Sequence, residues 1–584
     1  MKKFLISVLV CSWTMTGCGI KMPEQIQTLV DADESYEKEE NTDLEYVTDK
    51  SALYEKFDDS EVITAYLIVG YGNEADGTDH TWTELNYSQT DEAEGNSEMI
   101  RCEAALQFGD EYGPCEGMFG YDTLSANASI CLQGNNAETK PQKSYRIEIK
   151  KGKGSVDGMK KLVLSKSPSD PFRFTEKLCA DLMQQIPGMF STRTRFVHLY
   201  VKDKTQSRDT RFVDYGLYTM IEAIDKTYFK NRDLSKDGSL YKLENFDWSR
   251  HEEVIVPGTD ASYDLQKFEQ LLEVKGDIDH NNLIEMLEDV NDENVSIKEV
   301  VDKWFDEQNL YHYLAFHILT GKKDAAEENC YLYQPQETDR FYLLSWDNDS
   351  AFREEYEKSI NEEEIPEWNR GIFPLLSSVF YKKLLKEETC RSNLAEAVDD
   401  LYENYITKEV CKKKAKALAR RVKPFLFALP DASFSKVKET DYDSLVAHLG
   451  EQAETNYYTF YETLEKPWPF HILDPETEDG HTTLKWEESY YYGKTVSYHV
   501  LIDDTWDFKT PLVEKEEYDQ TKIDISDLPP GQYFIKISAA AKDGKEQEAY
   551  ECYYTEVGTT VYGTLCFYVM EDGTALASYM EQEE

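Results

Sequence analysis

The chain has 584 residues and a mass of 67.7 kDa, and its 113 Asp and Glu against 63 Lys and Arg give a formal charge of −50. That balance excludes a general nucleic-acid binder, which needs clustered cations to meet phosphates. A hydrophobic fraction of 40%, with 40 Tyr and 26 Phe, excludes wholesale disorder and supports one large domain or several ordinary ones.

The N-terminus reads as an export signal. Met1-Lys2-Lys3 is basic, Phe4 to Val10 is apolar, and Met15-Thr16-Gly17-Cys18 resembles the lipobox of bacterial lipoproteins. Residues 1–18 are therefore expected to be a signal peptide with Cys18 lipidated, anchoring the protein to the outer face of a bacterial membrane. No later run approaches the roughly 18 apolar residues of a spanning helix. Residues 19–60 are acidic and aperiodic, and read as a solvated tether.

From Glu61 to about Lys150 the pattern is β, with strands expected at Val62–Val69, Ala126–Leu132 and Ser144–Ile149 between Gly, Asn and Asp turns. Phe172 to Ile186 is helical, with Phe174, Leu178 and Leu182 on one face. Two more strands are expected at Phe196–Val201 and Tyr215–Ile221, then helices from about Val300 to Leu429. The polar stretch Asp277–Asn294 and the run Glu362-Glu-Glu364 read as solvated surface. After Lys466-Pro-Trp-Pro469, strands alternate with turns at Thr482–Trp486, Val496–Ile502, Lys522–Ile525 and Leu528–Ile537. The last of these carries Leu528-Pro-Pro-Gly-Gln-Tyr533, and the series resembles a fibronectin type III sandwich. Setting Cys11 and Cys18 aside leaves nine of the eleven Cys, with no C-x-x-C pair and so no sign of a zinc site. Cys552 and Cys566, within one β segment, are candidates for a bridge.

Two short segments carry the chemistry. Asp324-Ala-Ala-Glu-Glu-Asn329 precedes the apolar run Cys330-Tyr-Leu-Tyr333, and Phe341-Tyr-Leu-Leu-Ser345 leads into Trp346-Asp347-Asn348-Asp349. An Asp followed five residues later by Asn, then an acidic residue at the end of the next strand, is how a kinase builds its catalytic floor. There, one Asp takes the proton of the attacking hydroxyl while Asn and a later Asp hold a divalent metal against ATP.

With these segments, three further motifs resemble the CotH kinase family over roughly Asn127 to Leu401: Gln133-Gly-Asn-Asn-Ala137, Pro141-Gln-Lys-Ser-Tyr-Arg146, and Gly216-Leu-Tyr-Thr-Met-Ile-Glu222-Ala-Ile-Asp225. The resemblance implies an atypical protein-kinase fold and transfer of phosphate from ATP to Ser of proteins. It implies Asp324 as catalytic base and Lys143, after the Gly134 loop, as a phosphate-binding cation. Asn329, Asp347 and Asp349 become ligands of Mg or Mn, hard cations that take oxygen donors, and Trp346 packs under their loop. Glu222 ends a strand like that leading to a kinase hinge, near the adenine. The other reading of Glu222 is a core-edge Glu paired with a nearby cation. Glu176, on the helix after Phe172, is the candidate acidic partner for Lys143. The family tends to have Arg at Gln133 and Ser at Ala137, and each departure removes a phosphate contact of about 1–3 kcal/mol.

The expected fold class is α+β: an atypical bilobal protein-kinase-like domain at 61–465, β-rich to about 240 and helical after, followed by an all-β sandwich at 466–584. The expected activity is a serine/threonine kinase acting on envelope or spore-coat proteins, with a basic, Ser-rich protein as substrate and no nucleic-acid partner. The alternatives are a pseudokinase-like binding protein, a glycosyltransferase using Asp347-Asn348-Asp349 as its Asp-x-Asp, and a structural Ca²⁺ site. No nucleotide-sugar βαβ unit precedes the Asp-x-Asp, and a Ca²⁺ site leaves Lys143 and Asp324 without a role.

Overall fold

Alternation of apolar and polar residues builds the first half of the molecule. The computed structural model describes residues 47–579, apart from 89–99, 124, 135–136, 138, 207–210, 361–365 and 557. Its first sheet comprises β1 (Ile63–Gly70), β2 (Cys102–Asp110), β3 (Gly113–Pro114), β4 (Ala128–Leu132), β5 (Tyr145–Ile149), β6 (Lys161–Ser165), β7 (Thr194–Asp203) and β8 (Val213–Glu222). The order is β1-β7-β8-β6-β5-β4-β2-β3, and a further pairing of β1 with β2, Leu67 opposite Leu106, closes it into a barrel with β3 outside the ring. Closure removes the free edges of an open sheet. Every second residue fills the interior, among them Ala65, Leu67 and Val69 of β1 and Val197, Leu199 and Val201 of β7. The strands expected at β1, β4, β5, β7 and β8 are present; β2 and β6 lie outside the expected set.

The helix expected within the β-rich lobe, α1 (Thr175–Met183), belongs elsewhere. Its Leu178, Cys179 and Leu182 join the core of the helical body, not the barrel interior. A second correction concerns Asp277–Asn294, read as solvated surface. It contains α2 (Asn281–Asn291), whose Leu283, Met286, Leu287 and Val290 form a buried stripe. At the centre lies α3 (Glu307–Thr320), started by the Asp306 cap, stopped by Gly321 in the left-handed region, and buried along nearly its whole length. Around it run α4 (Glu388–Asn404), α5 (Lys408–Leu426) and α6 (Glu439–Leu464). A four-stranded sheet, β10-β9-β11-β12, is formed by β9 (Ser239–Leu243), β10 (Leu272–Val274), β11 (Cys330–Gln334) and β12 (Tyr342–Ser345). Among the described residues no helix is long and apolar enough to cross a membrane.

The lipobox, the tether up to Tyr46 and the Glu362–Glu364 run lie outside the described residues. From Val47 on, however, the chain expected to be a free tether is fastened to the body. Asp49 accepts a hydrogen bond from Arg232 Nε at 2.8 Å, and Asp59 pairs with the fully buried Lys177.

The C-terminal unit has two sheets. β13 (Glu476–Glu478), β14 (His481–Lys485) and β17 (Lys522–Asp524) form one. β15 (Val496–Asp503), β16 (Val513–Tyr518), β18 (Gly531–Ala541), β19 (Glu546–Glu548), β22 (Thr564–Val569) and β23 (Ala575–Ser578) form the other, with the pair β20 (Cys552–Tyr554) and β21 (Thr560–Tyr562) between β19 and β22 in the chain. Leu484 and Ile523 of the first sheet share a core with Val500, Ile535 and Phe567 of the second. Tyr533, early in β18, donates its hydroxyl proton back to Pro529 O at 2.9 Å, which fixes the corner into that strand. The unit is packed on the helical body through Trp368, whose ring meets Tyr550 and Tyr562 at 5.9 and 5.3 Å between centroids. All nine described cysteines are free thiols, so Cys552 and Cys566 form no bridge. Cys566 instead accepts a hydrogen bond from Gln532 Nε2.

Candidate active site

The antiparallel pairing of β11 with β12 sets the site. Its register puts Cys330 opposite Ser345, so the next residues out, Asn329 and Trp346, meet at the same end of the hairpin. Trp346 N–H donates to Asn329 O at 3.0 Å. Asn329 and Asp347 both have positive φ, +56° and +53°. Asn and Asp tolerate that region better than other side chains. Asp324 arrives from the 3₁₀ turn just after α3, and Asn329 Nδ2 donates to its Oδ2 at 2.8 Å. The other oxygen, Asp324 Oδ1, is buried without a hydrogen-bond partner.

Lys322 holds these pieces together. Its fully buried ammonium donates to Trp346 O, lies 3.5 Å from Asn329 O, and stands 3.8 Å from Asp324 Oδ1. Trp346 packs edge-on against Tyr331 at 5.7 Å between ring centroids. Asp347 is the exposed member of the set. It sits in a recess where crowding protein and the Asp349 charge push its carboxyl up to about 7, against the pull of Lys322. Burial and Asp170 raise Asp349 as well, while Arg353 and Lys322 oppose the shift, and Ser169 Oγ donates to it at 3.3 Å.

Glu176 does something other than the expected pairing with Lys143. From α1 its buried carboxylate accepts the Asn348 N–H at 2.5 Å, pinning the middle of the Asp-Asn-Asp loop. Burial and then Asp347 push it up to about 8.

Further site candidates lie around the β4–β5 hairpin. Gly134 sits at φ +99° with open space beside it, as a phosphate-approaching loop needs. Lys143 is buried with its ammonium 5.7 Å from the Tyr87 ring centroid. The cations acting most on Asp347 and Asp349 are Lys322, Lys242 and Arg353. Next to Lys143, Gln142 accepts from Arg173 at 2.6 Å and donates to Asp431 at 3.0 Å. Lys166, lowered to about 8 by burial despite Asp431, pairs with that Asp at 2.7 Å. Beyond Asp431, Lys436 is lowered by burial and then by the charges of Arg353 and Arg173, with Lys140 adding to them. An arc of cations thus stands beside the acidic set in a strongly acidic chain.

Glu222 makes ion pairs of its own. It is buried between Arg193 at 2.6 Å and Arg232 at 3.0 Å. Burial raises its pKa, but Arg232 and Arg193 prevail and hold it below the ordinary range. Both oxygens are engaged by guanidinium groups. The adenine-side role is therefore replaced by the other reading, a core-edge Glu paired with cations.

The donor set fits a divalent ion. Asn329, Asp347 and Asp349 offer hard oxygens, and burial, followed by neighbouring carboxylates, raises both Asp347 and Asp349, a penalty that a bound cation relieves.

A mixed α/β protein with an acidic hairpin end of this kind has the parts of a phosphoryl-transfer site. A family profile described as CotH, CotH kinase protein, matches residues 130–504. The chain belongs to the CotH kinase family, and the match runs beyond Leu401 into β15. No curated protein matches the chain. Among solved structures, similarity is reported to a Shewanella oneidensis MR-1 HipA–HipB toxin–antitoxin complex with operator DNA, at 11% identity and TM-score 0.23, covering 58% of this chain and 65% of that one. The twitchin kinase region from C. elegans follows at 11% identity and TM-score 0.15, covering 69% and 71%. Scores this low carry no argument about this chain.

Proposed function

We propose that the protein is an exported, lipid-anchored kinase that transfers the γ-phosphate of ATP to Ser or Thr of cell-envelope or coat proteins. The observation that carries this reading is the convergence of Asp324, Asn329, Asp347 and Asp349 around Lys322. Asn329, Asp347 and Asp349 would hold Mg²⁺ or Mn²⁺, which supplies charge neutralisation for the transferred phosphoryl group. Asp324 would take the proton of an acceptor hydroxyl, and Asn329 fixes its orientation through Oδ2. Lys322 keeps the two loops in register through their backbone carbonyls. Arg173, Arg353 and Lys436 supply positive charge where polyphosphate would lie. The barrel and helical body stand in for the two lobes of a kinase, and the C-terminal sheets for a fibronectin type III spacer.

A second reading, a catalytically weak binding protein, is favoured by one feature. The phosphate loop carries Ala137 and Gln133 in place of a hydroxyl and a guanidinium, and Ala137 is buried. Transfer of labelled phosphate from γ-labelled ATP with Mg²⁺ or Mn²⁺ separates the two. Incorporation that disappears in Asp347→Ala is expected; no incorporation together with no metal-dependent ATP shift in melting temperature leaves the binding reading.

A further inference from the structure

The most unusual surface lies far from the acidic hairpin in sequence, on α5. In a chain of charge −50, this one helix reads Lys408-Glu-Val-Cys-Lys412-Lys-Lys-Ala-Lys416-Ala-Leu-Ala-Arg420-Arg-Val-Lys423. Some of its cations have local work. Lys408 pairs with Glu454, Lys414 donates to Asp181 O, Arg421 donates to Asp59 O, and Lys423 pairs with Asp443 at 2.7 Å. Lys412, Lys416 and Arg420 are exposed and make no ion pair among the described residues. Spaced four apart, they stand in one row, and like charges at that spacing destabilise a helix by about 0.2–0.5 kcal/mol per pair. Acidic residues are abundant elsewhere in the chain, yet none of the described ones pairs with this row.

The row borders a groove of about 750 Å³ between α5 and α6. Its floor is apolar, made by Ala419, Phe427 and Val446, and one end carries Glu439 and Asp443. A concave apolar floor with a cationic rim fits a segment seated between the helices better than a flat sheet of headgroups. The spacing points to an extended polypeptide. Cations four residues apart recur every ~6 Å along a helix, and alternate side chains of an extended chain recur every ~6.7 Å. Such a segment lays acidic residues along Lys412, Lys416 and Arg420 while its other face covers Phe427 and Val446.

We propose that the α5–α6 groove is a docking site for an extended, acidic polypeptide segment of a partner protein, with acids alternating with apolar residues. The site is independent of the phosphoryl-transfer reading.

The test is fluorescence anisotropy of a labelled synthetic peptide of alternating Glu and Val against the full chain at low salt, beside a Gln-for-Glu control peptide. The expected result is binding of the Glu peptide, at least about tenfold weaker for the Gln peptide, and weakened about tenfold by Lys416→Glu with Arg420→Glu. Lys413→Glu changes the same charge on the same helix but does not line the groove, and should alter binding less than about twofold. If the double reversal fails to fold, Lys416→Gln with Arg420→Gln takes its place. Equal losses from Lys413→Glu, no discrimination between the peptides, or no peptide binding would each overturn the proposal. So would sedimentation with phosphatidylglycerol vesicles in the absence of peptide binding, which assigns the surface to a membrane.

Discussion

Two acidic clusters of this molecule are opposites. At the barrel's rim, Glu222 lies between Arg193 and Arg232, with Asp49 sharing Arg232, and its carboxyl is held low. At the hairpin end, Asp324, Asp347 and Asp349 gather with Glu176 behind them, and the one fully buried cation among them is Lys322. The first cluster has enough positive charge to satisfy every acid. The second lacks it, and three of its carboxyls are pushed up. A balanced cluster stabilises the fold; an unbalanced one stores a demand for a cation or a proton, which is what a catalytic site requires.

Breaking the balanced cluster should produce the largest effect on stability. Glu222→Ala leaves two buried guanidinium groups short of a partner, with an expected loss of about 3–5 kcal/mol, read as a lower midpoint in urea denaturation. Loss under about 1 kcal/mol would mean that the arginines find other partners. Next, Mg²⁺ should raise the melting temperature of the wild-type protein, because an ion binding only the folded state stabilises it by about 2.7 kcal/mol at a hundredfold excess over Kd. In Asp347→Ala the rise should vanish, and in Glu222→Gln it should persist.

The smallest effect, and the most direct comparison, is the opposite response to pH in a chelating buffer. Glu222, with a lowered folded pKa, contributes stability that is present above the ordinary carboxylate range and lost as pH falls through its folded value. Glu176 keeps its proton in the folded state up to about 8, while the unfolded chain releases it near 4.5. Its contribution therefore falls as pH rises between those values. Melting curves from about pH 2 to 9 should show Glu176→Gln flattening the alkaline limb alone and Glu222→Gln flattening the acid limb alone. Identical profiles for the two variants would dissolve the contrast.

The acidic hairpin was legible because its parts sit in two short runs joined by one pair of strands. Asp324, Asn329, Asp347 and Asp349 needed only an antiparallel register to meet. Lys322 lies two residues before the first run but reads as a surface lysine until the loops close over it. Glu176 reaches Asn348 across 172 residues and Gln142 reaches Asp431 across 289, distances that no local pattern encodes. β2 was missed because its residues are buried on both faces, which erases the period-2 signal. α2 was a different failure: Leu283, Met286, Leu287 and Val290 have helical spacing, hidden by the polar residues between them. For Glu222 the sequence showed a strand end but not which arginines would face it.

The fastening of residues 47–60 carries a mechanical meaning. Among the described residues, a pull applied at Val47 is borne by its own N–H, held by the Tyr342 hydroxyl, and by Asp49, gripped by Arg232 and the Ser191 N–H. Tyr342 opens β12, the strand that leads into Trp346 and Asp347, and Arg232 is a partner of Glu222. Tension on this segment is thus delivered to the strand that positions the acidic loop and to the cluster that locks the barrel rim.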